Sequence, residues 1–506
     1  MTLDQKVGQL LFIGISDTQI SNRTAKDLRE LQPGAIILFK RNILGLRQTA
    51  RLTSSLKLIS KESSSLPLLI ATDQEGGRVA RVEFTPAMPS PLALGMTKDP
   101  KIVEAVSFEA GKFLRYLGFN MNLAPVLDVL SERGSSFIGE RSFGSSPKLV
   151  SDLGLAFAQG QLRAGIIPTS KHFPGAGLLT KDPHVETVSV DEYSKSLLFP
   201  FIQFAQVFPS AVMLSHSSYP KIDPSGVPAT FSKKIISNLL IQELGYKGLI
   251  ITDDLQMGAA KNTARNVGLL SRIGQNAVRS FLAGADLIMI TWSPKEQKLA
   301  KKALIDAVKS GQISMSDLDA RVNKINQIKN LVAPQLRIPS SADNENLFES
   351  KGLAVLDDRI LNINLSREFR LIEKPSTHER FVVISKLPQF RWSFERALGK
   401  SVDSLTNQEF LGLTDSSSEE RSFLSRYDCV IFPIYSKKDA LFLNSMSRLI
   451  RKRTIALNFT SPGLINAAHL RGVLNLFHPH IHAGKFLGEL VRGHDEQIEN
   501  SLNRKL

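Results

Sequence analysis

The chain is 506 residues long, 42% apolar and 22% charged, with a formal net charge of +15 and a single cysteine. That length exceeds one ordinary core, so two domains are expected, and the composition excludes a disordered or fibrous chain. No run approaches the ~18 uninterrupted apolar residues of a membrane span, and the lone Cys429 excludes an intramolecular disulfide framework and fits a reducing compartment, the cytoplasm.

Residues 1–340 hold 40 Lys and Arg against 28 Asp and Glu, and residues 341–506 hold 23 against 20, so the excess of +15 divides as +12 and +3. A nucleic-acid-binding face concentrates such charge in a stripe with aromatic residues between. Here the basic residues are scattered, apart from short clusters such as Lys301-Lys302, and read as solvated faces. No nucleic-acid partner is expected. An electropositive cleft drawing in an anionic small substrate is the milder functional reading.

The chain opens with MTLDQKVGQLLFIGISD, which has no basic n-region and reads as the first element of a fold rather than a secretory leader. Short β-rich apolar runs then follow at 10–15, 35–39, 68–73, 119–126, 166–173, 211–216, 248–254 and 287–291. Segments of 3.6-residue periodicity lie between them, for instance 101–118 and 276–285. Strands alternating with helices imply parallel pairing through crossovers. Eight of them in the first 300 residues match a closed (β/α)8 TIM barrel, with an open doubly wound sheet as the alternative. Polar residues collect where these strands end: Asp73, Asn122, Lys171 with His172, Ser215 with His216, and Asp253 with Asp254. In a barrel those ends face one polar pocket, which is where the chemistry of this fold sits.

A long amphipathic stretch at 304–332 closes this first domain, 1–335. Residues 336–352, LRIPSSADNENLFESKG, have linker composition. Strand-like runs recur at 381–385, 429–435, 454–460 and 472–477, so 353–506 reads as a smaller open α/β domain used for packing or oligomer contact. Its HPHIH, with His478, His480 and His482 alternating, could aim three imidazoles at a metal, but no acidic or cysteine partner adjoins and a surface loop is preferred.

The densest chemistry lies in KHFPGAGLLTKDPH, residues 171–184. His172 and His184 stand twelve apart and no His-x-His or His-x-x-x-His pair occurs in the barrel, so a metal hydrolase, with His216 as a third ligand, stays only an alternative. No Gly-x-Ser-x-Gly elbow is present, and Cys429 is in the other domain. Acid/base and carboxylate chemistry remains. Asp182 and His184 flank Pro183, which disfavours helix at Asp182, so the carboxylate can reach the imidazole and raise its pKa. An ordinary Asp-Pro-His surface turn is the competing reading. Gly175 and Gly177 would let the loop move.

Four stretches occur in order: ATDQEGGRVARV (71–82), GERSFG (139–144), KHFPGAG with DPH (171–184), and GLIITDDLQMGA (248–259). Together they resemble glycoside hydrolase family 3, in particular its β-N-acetylglucosaminidase branch, over about residues 1–330. The resemblance implies that Asp253 is the nucleophile, His184 the general acid/base and Asp182 its partner. It implies that Asp73, Arg81, Arg141, Lys171 and His172 bind sugar, and that Asp254 holds the nucleophile loop. It assigns no role to Asn122 or His216. It further implies a retaining exo-acting hydrolase of terminal β-linked N-acetylglucosamine, a small carbohydrate partner drawn from peptidoglycan fragments, and no cofactor or metal. Broader hexosaminidase or β-glucosidase activity, or non-catalytic binding of such fragments, are the alternatives. Two positions depart from the family pattern: Ala176 stands where histidine is common, and Pro183 where serine is usual.

Overall fold

In the computed structural model the described residues are 1–64, 66–83, 87–130, 138–179, 188–207, 210–258 and 269–332, with 369–371, 380–384, 403–405, 410, 417–434, 443, 446–452, 454–458, 470 and 472–475 beyond them. The chain divides into two compact units, Met1–Phe84 with Lys98–Ser350 and Thr85–Thr97 with Lys351–Leu506. The proposed linker at 336–352 and the HPHIH run lie outside the described residues.

In the first unit, all eight anticipated runs form strands. They are β1 (Leu11–Gly14), β2 (Ala35–Ile37), β3 (Leu69–Thr72), β6 (Met121–Asn122), β7 (Ile167–Phe173), β8 (Ala211–Leu214), β9 (Leu249–Thr252) and β10 (Ile288–Ile290); a hairpin of β4 (Gln74–Gly76) and β5 (Val79–Ala80) interrupts the count after β3. Their order is β10-β1-β2-β3-β6-β7-β8-β9, all parallel. The ring is drawn together between β9 and β10 by a bridge of Ile251 to Leu287 and by the Thr252 amide donating to the Leu287 carbonyl at 3.0 Å. Every residue of these eight strands is buried, as strands packed on both faces require, and so they read as continuous apolar runs instead of alternating ones.

Helices cross between the strands, and their starts are written locally. Asp99-Pro100, Ser146-Pro147 and Ser293-Pro294 each pair a capping side chain with a proline in the first turn, and the caps accept from the amides of Lys101, Leu149 and Glu296. The long amphipathic stretch at 304–332 falls on two helices, Pro294–Lys309 and Met315–Leu331. Gly311 at φ +75° breaks it and Ser314 caps the second helix, a stop and a start within four residues that the apolar period runs straight through. Among the described residues no helix is long and apolar enough to cross a membrane.

The N-terminal end of the barrel is held by buried polar contacts. Asp286, fully buried, accepts from the Ile250 amide at 2.8 Å and pairs with Lys324 at 2.6 Å and Arg321 at 3.3 Å, which ties the Met315–Leu331 helix to β9. Beside the first strand, the buried Lys329 donates to Gln9 Oε1 at 2.7 Å, and burial lowers its amine to a pKa of about 7.

The second unit is an open α/β sheet, as expected, of β11 (Phe369–Leu371), β12 (Phe381–Ile384), β13 (Asp403–Leu405), β14 (Cys429–Ile434), β15 (Thr454–Asn458) and β16 (Gly472–Asn475) in the order β11-β16-β15-β14-β12-β13. Only the β11–β16 pair is antiparallel. Val382, Phe410, Phe423, Val430, Phe432 and Ala456 build its core. The four central strands match the apolar runs read from the sequence. The two edges, FRL and DSL, do not, because edge strands of three residues carry polar side chains and no apolar pattern.

Candidate active site

A cavity of about 500 Å³ opens at the ends of the barrel strands. Asp73, Arg81, Arg141, Lys171, His172 and Asp253 all line it, although they come from four separate stretches of chain. Asp182 and His184 lie outside the described residues.

The inner wall is a network of fixed charges. Arg141 grips Glu75 with two bonds of 2.8 Å, from Nε to Oε2 and from Nη2 to Oε1. Lys171 Nζ stands 2.6 Å from Glu75 Oε1 and 2.9 Å from Asp73 Oδ1, and Arg81 approaches Asp73 Oδ2 at 3.5 Å. Burial penalises the charges of Glu75, Arg141 and Lys171, yet the pairing wins. Burial raises the Glu75 carboxyl, but Arg141 and Lys171 beside it hold it far below the carboxylate range. Burial likewise works against charged Arg141 and Lys171, and the surrounding carboxylates keep both above their ordinary values. The set therefore presents charged donors at any working pH, and removing Glu75 would take the bidentate partner from Arg141 and leave Lys171 with Asp73 alone.

A tight hairpin puts these groups in place. Gly76 and Gly77 turn the chain at φ +102° and +56°, conformations open to glycine, directly after Asp73 and Glu75. Gln74 braces the turn from inside: its Oε1 accepts from the amides of Arg81 and Val82 at 3.0 Å each, and its Nε2 donates to the Val82 carbonyl at 3.1 Å. Asn122 completes the brace by exchanging bonds with the Gln74 backbone, 2.9 Å from its amide and 3.0 Å to its carbonyl. Asn122 thus supports the hairpin and does not line the cavity.

Asp128 is a further member that spacing did not single out. Its Oδ2 is 2.7 Å from His172 Nδ1, and its Oδ1 accepts from the amides of His172 at 3.1 Å and Ala176 at 2.6 Å. Arg141 Nη2 lies 3.5 Å from His172 Nε2. Arginine has only donors, so these partners assign the proton to Nδ1 and leave Nε2 an acceptor toward the cavity.

The same carboxylate anchors the start of the 174–179 segment. Tyr193 and Tyr219 donate their hydroxyls to the carbonyls of Pro174 at 2.9 Å and Gly175 at 3.0 Å. A Cβ on Gly177 would fall 1.8 Å from the Val129 carbonyl oxygen, so this glycine serves close packing. These contacts hold the segment from Pro174 to Gly177, and the part of the loop that carries Asp182 and His184 lies outside the described residues. Ala176 is buried and does not line the cavity.

On the facing side, Asp253 and Asp254 follow β9. The Asp254 amide donates to Asp253 Oδ1 at 2.8 Å. Asp254 accepts from the Thr291 hydroxyl and from the Gln256 amide at 3.1 Å, and burial with the neighbouring Asp253 charge lifts its carboxyl to about 6. His216 approaches the Asp254 carbonyl with Nε2 at 3.0 Å and Thr230 Oγ1 with Nδ1 at 2.7 Å. Nε2 thus holds this loop while Nδ1 anchors the ring on Thr230. Among the described residues no three His, Cys, Asp or Glu side chains are grouped to hold a metal ion.

With this geometry in hand, comparison with known proteins is specific. A family profile described as the glycosyl hydrolase family 3 N-terminal domain matches residues 2–328. A β-hexosaminidase of Nitrosomonas eutropha is 34% identical over 296 residues, covering 56% of this chain and 81% of that protein. A β-hexosaminidase of Xylella fastidiosa is 32% identical over 293 residues, covering 56% and 83%. Beyond the barrel, the solved structure of a family 3 β-N-acetylglucosaminidase from Paenibacillus sp. FPU-7 superposes with a TM-score of 0.84 at 29% identity over 97% of both chains. The eight-stranded barrel, the charged cavity at its strand ends and these matches agree: the chain belongs to glycosyl hydrolase family 3 and is a glycoside hydrolase.

Proposed function

We propose that the chain is a retaining exo-β-N-acetylglucosaminidase acting on terminal β-linked N-acetylglucosamine. The observation that carries this reading is the convergence of Asp253 with Asp73, Arg81, Arg141, Lys171 and His172 on one cavity of about 500 Å³, in a chain similar to β-hexosaminidases. That volume suits a sugar unit at the inner wall with the remainder of the substrate toward the mouth.

In this reading the buried cations and His172 hold the hydroxyls and acetamido group of the terminal sugar. Asp253 attacks the anomeric carbon while the imidazolium of His184 protonates the departing glycosidic oxygen, so a glycosyl ester forms as the C–O bond breaks. His184, now neutral, takes a proton from water; that water attacks the anomeric carbon, and Asp253 leaves as carboxylate. Asp182 offsets the cost of charging His184 beforehand. Asp254, tied to Thr291, Gln256 and His216, keeps the Asp253 loop in place.

Peptidoglycan fragments are the substrate class we favour, since their carboxylates suit a barrel with a +12 excess over residues 1–340. The single cysteine, buried at position 429, supports a cytoplasmic setting. Release of p-nitrophenol from its β-N-acetylglucosaminide, with the β-glucoside turned over at least tenfold more slowly, is the expected result. Asp253→Ala should be inactive. Full activity in that variant overturns the nucleophile assignment, and binding of sugar without turnover by the unaltered protein overturns the enzyme reading.

A further inference from the structure

The mouth of the cavity carries an assembly that the inner charges do not account for. Phe39, two residues beyond β2, and Trp292, two residues beyond β10, stack with centroids 6.1 Å apart and planes inclined by 17°. The Arg41 guanidinium lies over both rings, 4.5 Å from the Phe39 centroid and 4.0 Å from that of Trp292. It is fixed there by bonds from Nε to the Ile15 carbonyl at 3.2 Å and from Nη2 to the Thr291 carbonyl at 3.1 Å.

Trp292 is also tied to the loop bearing Asp253. Its amide donates to Gln256 Oε1 at 2.6 Å, the Gln256 amide donates to Asp254 Oδ1, and the adjacent Thr291 hydroxyl donates to Asp254 Oδ2. Yet the tryptophan side of this assembly is in water: Trp292 is 65% exposed, the one large apolar side chain among the described cavity-lining residues that is mostly solvent-facing. Single exposed apolar residues need no explanation. This one is held in a fixed orientation, backed by a second ring, and lines the same cavity as Asp253.

We propose that Phe39, Arg41 and Trp292 form a leaving-group subsite, a platform for the apolar face of the sugar ring attached to the departing oxygen. The inference rests on the glycosidase reading above. Since Glu75, Arg141 and Lys171 close the inner end, whatever is joined to the bound terminal sugar has to pass the mouth. A pyranose presents one face of C–H groups, which packs on an aromatic ring, and a polar rim that stays hydrated. The platform has that mixture: an aromatic surface bordered by the exposed Lys40–Glu83 pair at 2.6 Å and by Gln256. A lipid chain would need a longer apolar track than these residues provide.

A platform of this kind contributes only when the leaving group is itself a ring. The test compares Trp292→Ala and Trp292→Phe with the unaltered protein on two substrates that share the terminal sugar: methyl β-N-acetylglucosaminide and N,N′-diacetylchitobiose. The alanine variant should lose roughly tenfold or more in kcat/KM on the disaccharide and less than about twofold on the methyl glycoside, with the phenylalanine variant recovering most of the loss. Equal losses on both substrates would mean that Trp292 only steadies the Asp253 loop, and no loss on either removes the subsite; each overturns the proposal. If the unaltered protein cleaves neither substrate, the proposed N-acetylglucosaminidase activity itself fails, a result separable from the other two.

Discussion

Lys171 and Lys329 are both lysines buried in the barrel unit, 2% and 1% exposed, and their amine pKa values are displaced in opposite directions. At the strand ends, Lys171 sits between the carboxylates of Asp73 and Glu75, which hold its amine above the ordinary lysine value against the penalty of burial. Beside the opposite end, Lys329 meets the neutral Gln9 side chain, and burial lowers it to about 7. Burial alone discharges an amine; only a built set of counter-charges keeps it positive in the interior. The barrel carries such a set around its cavity.

The largest effect expected from breaking this contrast is at Glu75. Glu75→Gln preserves shape but leaves Arg141 and Lys171 short of a counter-charge, and should cost about 3 kcal/mol in urea unfolding at pH 7 and roughly 100-fold or more in kcat/KM. The sign with pH follows from its depressed pKa. Its contribution is complete above the ordinary glutamate value and is lost only as pH falls toward the much lower native one, so the gap between variant and parent should narrow in acid.

Asp128→Asn probes the other support of the site. An amide facing His172 Nδ1 favours the opposite tautomer and turns the cavity-facing nitrogen from acceptor to donor. Turnover should fall by roughly 10²-fold, with the shape of the pH–rate profile altered and the unfolding midpoint shifted far less than in Glu75→Gln. A loss of stability with unchanged catalytic parameters would mean that Asp128 serves only to pin the Ala176 amide.

Lys329→Met sharpens the contrast from the opposite side, with the smallest effect. Between about pH 7 and the ordinary lysine pKa of ~10.4 the unfolded chain holds a proton that the folded chain does not, so the stability of the parent rises with pH across that window. Methionine removes that dependence. The variant should be more stable than the parent by about 2 kcal/mol at pH 7, the advantage shrinking toward pH 10, with catalysis unchanged. A destabilised variant at pH 7 would show that the bond to Gln9 outweighs the cost of burying the amine.

What was readable in the chain divides along similar physical lines. Strands buried on both faces are uninterrupted apolar runs, so all eight barrel strands and the four central strands of the second sheet stood out. Asp73, Lys171, His172 and Asp253 stood out because polar groups at strand ends are costly unless they converge, whereas Arg81 and Arg141 were indicated only by the family resemblance. Glu75 lay inside a recognised motif but its role depends on Arg141, 66 positions away, and Asp128 meets His172 across 44. Such pairings are created by the barrel closing and leave no local spacing to read. Trp292 was missed for a different reason: one aromatic residue after a strand carries no pattern, and its meaning comes from Phe39 and Arg41 packing beside it. The split of 304–332 was missed because an amphipathic period continued through Gly311.

The central claim is that Asp253 forms a covalent bond to the sugar within this cavity. Incubation with a slow 5-fluoro N-acetylglucosaminyl fluoride, followed by proteolysis and mass spectrometry of the labelled peptide, tests it most directly. The account predicts one sugar ester, on Asp253, with labelling blocked by competing N-acetylglucosamine. An adduct on Asp254 or another residue, or steady turnover of substrate with no adduct at all, would contradict it.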